Sequence, residues 1–253
     1  MSGNTGYHHR RIVIGARICN LLRSLGPSTY DEISPKIEYW IEYTLTEQSV
    51  NVDDLVEQLS SMAWDSGGSH PNIARFFREF YHAPHRSERA RSFVDKFCEH
   101  VLRWFAAASA EVLEVSCSWH TSRVARCGGE GFIRAASFVG YLIEWCLLSH
   151  ELVRRHLVKP LIAIHYTDND VTERYFRAMA IYNLFIAAKN TILQGLLEPE
   201  DVQACFETLD TDISTKVSLP SGTTLVGPDA AKIKVRCSIC LGAPYLDLPN
   251  NLF

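Results

Sequence analysis

The sequence predicts an all-α protein built of stacked antiparallel helical hairpins, a helical-repeat solenoid. Three observations predict it. Apolar residues recur at three- and four-residue steps along most of the chain, the signature of amphipathic helices. No segment shows the strict alternation of a half-buried strand. The breaks between periodic segments are short, which makes successive helices antiparallel neighbours.

Each element has its own justification. Ile14, Ile18, Leu21, Leu22 and Leu25 form the stripe of a first helix, and Gly26-Pro27-Ser28 stops it. Tyr30 to Leu45 reads as a second, with Ile33, Ile37, Trp40, Ile41 and Leu45 on one face. Asp53 is placed to cap a third containing Leu55, Leu59 and Met62. The break "DSGGSHPN" precedes a helix with Ile73, Phe76, Phe77 and Phe80. "HAPHRSER" separates it from a long helix with Phe93, Phe97, Val101, Leu102 and Phe105. Cys117 to Gly131, rich in small residues, reads as a loop carrying Arg123 and Arg126.

Two helices follow. Phe132, Ala136, Val139, Ile143 and Cys146 share the apolar face of the first. Ser149 caps the second, whose face is Val153, Leu157 and Leu161. Val171 to Leu197 is a long helix, and an acidic one begins near Pro199. Past Ser214 the pattern fades. The expected organisation is a helical-repeat domain over residues 10–212 and an irregular tail over 213–253.

Composition narrows the function. The chain has 253 residues, 47% hydrophobic and 21% charged, enough to bury one sizeable core. A net charge of -4 argues against nucleic-acid binding through overall charge, although a local basic face is compatible with it. No apolar run approaches the ~20 residues of a membrane span, and the polar opening "MSGNTGYHHRR" has no signal-peptide core. With no Asn-x-Ser/Thr acceptor, the expected compartment is the cytoplasm, with the nucleus second, and no membrane partner is expected. In such a compartment the eight cysteines read as free thiols rather than a disulfide framework.

The motifs with chemical associations fall short. "HELVRRH" sets His150 and His156 six residues apart, whereas a helical zinc pair needs four. "CSIC", Cys237 to Cys240, resembles the opening of a RING-type zinc module. Neither Cys nor His follows in the last 13 residues to complete four ligands. There is no phosphate-binding glycine loop, dinucleotide fingerprint or nucleophile elbow. No catalytic residue, metal or cofactor is expected, and the chain reads as non-enzymatic.

Basic residues cluster instead. Arg86, Arg89 and Arg91 lie at one helix start, Arg123 and Arg126 in the loop, and Arg154, Arg155 and Lys159 on the helix opened by Ser149. If neighbouring repeats align these ends, they make a surface for phosphates or an acidic partner. Taken singly, each is a solvated helix face.

The segment "SFVGYLIEWCLLSHELVRRHLVKPLI", Ser137 to Ile162, resembles a signature helix pair of the middle domain of eukaryotic translation initiation factor 4G. Phe138, Gly140, Leu142, Leu148, Val158 and Leu161 fall on matching positions. "LLRSLGPSTYDEI", Leu21 to Ile33, resembles that family's first helix and turn, and "HPNIARFFREF" resembles a further helix, all in the family's order. The resemblance covers residues 10 to 165. It implies a HEAT-like or ARM-like crescent solenoid of helical hairpins acting in mRNA metabolism, most directly in translation initiation. It implies a DEAD-box RNA helicase as partner, and RNA as a second one.

Within this reading the partner- or RNA-binding residues are Arg154, Arg155 and Lys159, with Arg123 and Arg126 second. Departures fall on polar positions: Ser137 and Tyr141 stand where the family has Arg and Glu, and Glu144 where it has Lys. An alternative is a divergent homodimeric scaffold without helicase or RNA binding, using Phe76, Phe77, Tyr81 or Trp104 as an exposed interface.

Overall fold

In the computed structural model, the described residues are 4–46, 51–64, 69–114, 123–153, 179–180, 183–184, 186–188, 216–218 and 224–226, with side chains from Val13 onward in the first segment. They are helical almost throughout. The elements are α1 (Asn4–Arg23), α2 (Tyr30–Thr46), α3 (Val52–Ser60), a 3-10 turn (Ser61–Trp64), α4 (His70–His82), α5 (Glu88–Glu114), α6 (Arg123–Glu144) and α7 (His150–Val153). One short antiparallel pair, β1 (Lys216–Ser218) with β2 (Thr224–Val226), lies where the helical pattern fades. No described helix is long and apolar enough to cross a membrane.

The α1–α2 turn shows how sequence becomes geometry. Thr29 Oγ1 donates to the Ser24 carbonyl at 2.7 Å and accepts the Gly26 N–H at 2.9 Å, closing the chain around Gly26-Pro27-Ser28. Two carbonyls at the end of α1 are satisfied from α4's start: Ser69 Oγ donates to Arg23 O at 2.8 Å and Asn72 Nδ2 to Leu25 O at 3.3 Å. Asn51, not Asp53, caps α3, its side-chain oxygen accepting the Asp53 N–H at 3.0 Å. Asp53 sits in the first turn instead, where a carboxylate favours the helix dipole, and pairs with Lys96 of α5.

Neighbouring helices share one core. α1 packs on α2 and α3, α3 on α5, α4 on α5 and α6, and α5 on α6. Phenylalanine fills it. Phe77 stacks on Phe97 with centroids 4.4 Å apart, Phe97 meets Phe138 edge-on at 6.2 Å, and Phe105 stacks on Phe132 at 5.0 Å. Each such ring removes 150–250 Å2 from water by general reckoning, which makes this aromatic spine the main apolar contribution to α4–α6 packing.

Three further expectations change. Residues 123–131 are helical, not loop: α6 begins at Arg123 and runs through Gly128, Gly129 and Gly131. Glycine costs about 1 kcal/mol per helical position, a preference that tertiary packing overrides, and Gly131 and Phe132 are already buried. Cys146 does not share α6's apolar face. It is exposed beyond the helix end with φ 53°, in the left-handed region. Its N–H bonds Ile143 O at 2.9 Å and the Leu147 N–H bonds Leu142 O at 2.9 Å, the two bonds of a Schellman cap. Finally, Phe76 and Phe77 are not surface residues; both are fully buried, and Tyr81 and Trp104 pack partly buried against the core.

Gly140 behaves as a close-approach residue. A Cβ there would stand 2.6 Å from Ala187 Cβ and 2.6 Å from the Leu184 carbonyl, so α6 comes into close backbone approach with the chain at Leu184. Ser149 Oγ accepts the Leu152 N–H at 3.3 Å, as a cap of α7 should.

Candidate functional site

The basic residues singled out by sequence are distributed unevenly over the structure. Arg154, Arg155 and Lys159 lie outside the described residues, as do Cys237, Cys240 and His156. Arg123 and Arg126 belong to α6's first turns, so they ride a helix rather than a loop. Arg89 and Arg91 are exposed on α5. His82 and His85 are exposed beside Pro84.

Arg86 is no surface residue. Its side chain is only 5% exposed and forms a two-pronged ion pair with Glu38 and Glu42, one turn apart on α2. Its guanidinium carbon lies 4.3 Å from the Phe80 ring centroid. The Nε finds no hydrogen-bond partner. Arg86 therefore clips the α4–α5 connection to α2. A second polar bridge joins the same helices: the Tyr30 hydroxyl donates to Glu79 at 2.8 Å, and Arg75 pairs with Glu79 while covering the Tyr30 ring at 4.1 Å. Burial, then the Glu79 carboxylate, raises the Tyr30 hydroxyl well above its ordinary range, so it stays a donor.

His70 is fully buried at the start of α4, 5.0 Å from the Phe138 ring. Neither ring nitrogen has a partner at hydrogen-bonding geometry. Burial pulls its imidazole down to about 4; the Met62 carbonyl works the other way, and the Arg134 charge adds to the lowering. His70 is thus held neutral. No group of three or more His, Cys, Asp or Glu among the described residues is arranged to hold a metal ion.

The surface feature that stands apart is the outer face of the α1–α2 hairpin. Val13 and Tyr39 are the exposed large hydrophobic side chains among the described residues, at 54% and 62%, and they sit on these two paired helices. Tyr39 stacks on Tyr43 at 6.3 Å and meets Trp40 edge-on at 5.4 Å; Trp40 meets Tyr43 edge-on at 5.8 Å. Arg17, one turn beyond Val13 on α1, covers the Trp40 ring with its guanidinium carbon 4.3 Å from the centroid. The neighbouring charges on α2 are already engaged: Lys36 with Glu32, and Glu38 and Glu42 with Arg86.

The sequence reading placed Trp40 on α2's core stripe and passed over Tyr39, Tyr43 and Arg17. The available signal is the string "EYWIEY": Tyr39 and Tyr43 are spaced one turn apart and lie off the Ile37–Ile41–Leu45 stripe, and Tyr39 stays exposed while Trp40 packs partly buried against the core. Comparison with known protein families, with curated proteins and with solved structures finds no match.

Proposed function

We propose that this chain is a non-enzymatic adaptor in mRNA metabolism, most directly in translation initiation, that binds a DEAD-box RNA helicase, with RNA as a second partner of its basic residues. The observation that carries the adaptor reading is the α1–α2 face, where Val13, Arg17 and Tyr39 are exposed and the Trp40 and Tyr43 rings are half-buried on a well-packed helical body. Tyr, Trp and Arg are the residue types that dominate binding energy at protein interfaces. Arg86 and the Tyr30–Glu79 bridge tie α2 to the core and so fix the patch in space.

The narrower assignment rests on the resemblance to the middle domain of initiation factor 4G. Gly140, one of the matching positions, makes its close backbone approach to Leu184, outside the matched helix pair. Under this proposal Arg154, Arg155 and Lys159, with Arg123 and Arg126, carry electrostatic contacts to helicase or RNA. The test is titration of the helicase with the wild-type chain and with a triple charge reversal of Arg154, Arg155 and Lys159. A loss of tenfold or more in affinity, with helical content and melting unchanged, is the expected result. Unchanged affinity removes those residues from the interface. Sedimentation of the free chain tests the homodimeric alternative, which requires a dimer at micromolar concentration.

A further inference from the structure

We infer that the α1–α2 face is the docking site for a peptide segment of a partner protein in which a carboxylate side chain flanks apolar residues. This deepens the adaptor reading and rests on it, but it does not depend on the partner being a helicase. Arg17 sets the charge of the occupant. It has no acidic partner among the described residues, and its side chain is exposed with the guanidinium carbon 4.3 Å from the Trp40 ring centroid, so its N–H donors can pair with a carboxylate. A cationic occupant is disfavoured because Arg17 already covers a Trp40 face. Tyr39 and Val13 set the apolar part, with 62% and 54% of their surfaces open to a partner's side chains.

Charge also decides between a peptide and a nucleic-acid strand. Tyrosines suit base stacking, but a strand needs a basic track for its phosphates. Arg17 is the one cation of the patch, and Lys36, the cation of α2, is paired with Glu32. One arginine can match a single carboxylate, whereas a run of phosphates needs several cations along its path. The chain's net charge of -4 works in the same direction.

The experiment is selection from a displayed library of random 15-residue peptides on the full chain. Enriched peptides are then measured by fluorescence anisotropy against the wild type, Tyr39→Ala and Arg17→Glu. Both variants change exposed side chains, and thermal melts confirm their folding. The expected result is enrichment of Asp or Glu beside aliphatic or aromatic residues, at least tenfold weaker binding to each variant, and weakening by salt in the wild type. The inference is overturned if no sequence class is enriched, if the enriched peptides lack an acid, or if they bind both variants within twofold of wild type. Oligo-uridylate binding that is lost in Tyr39→Ala overturns it in favour of a nucleic-acid surface. Self-association lost in the same variant overturns it in favour of a second copy.

Discussion

Cys146 carries a cost that a single substitution can remove. Its left-handed φ of 53° is the conformation that glycine adopts freely, and its side chain is exposed, so nothing in the core needs it. Cys146→Gly is expected to stabilise the fold by about 1 kcal/mol in urea titration, the ordinary penalty for an L-residue there. Gly140 is the opposite case. Gly140→Ala gains about 1 kcal/mol of helix propensity but drives a methyl to 2.6 Å from the Leu184 carbonyl, and backbone cannot move aside as a flexible side chain would. The net expectation is a loss of about 1–2 kcal/mol in the same assay. His70 predicts a pH dependence. Its folded-state value of about 4 lies below the ordinary 6.5, so the unfolded chain binds the proton more readily. The contribution is fully present above pH 6.5 and is lost as pH falls from 6.5 towards 4, by about 3 kcal/mol in total. His70→Leu is expected to flatten the stability profile across that window; a wild-type slope in the variant would contradict the assignment.

At the scale of elements, the helices follow from apolar spacing wherever a continuous stripe meets the core, as in α2, α4 and α5. The stripe Ile37, Ile41 and Leu45 is buried, and so is Ile73, Phe76, Phe77 and Phe80. Where local preference and packing conflict, the sequence misleads. Gly128, Gly129 and Gly131 argue for a loop, yet α6 continues through them into the buried stretch that opens with Gly131 and Phe132. Long-range polar ties are the least legible. Arg86 looks like one of three solvated arginines until the fold brings Glu38 and Glu42 to it across 48 and 44 residues. Arg86→Ala leaves two carboxylates a third exposed without their cation, and strips the Phe80 ring of its cover. The expected cost is about 2–3 kcal/mol, below that of a wholly buried pair because water reaches both acids. Chemical denaturation checks it, with Arg89→Ala, an exposed neighbour, expected within about 0.5 kcal/mol of wild type.

For the whole molecule, periodicity makes the helical class legible because burying one face of each helix is what the apolar residues are for. It does not make the docking face legible, since a surface aromatic has no periodic signature of its own. Tyr39 and Tyr43 become interpretable when α2's buried stripe is known and they are seen to lie off it. The same holds for Arg17, whose place over Trp40 depends on how α1 packs against α2. The adaptor account joins these surface features to a helical body and to the resemblance over residues 10 to 165. It is tested most directly by titrating the purified chain into the DEAD-box helicase of translation initiation and following ATP hydrolysis with and without RNA. The account predicts saturable binding that raises the ATPase rate. No binding at tens of micromolar, with an unchanged rate, would contradict it.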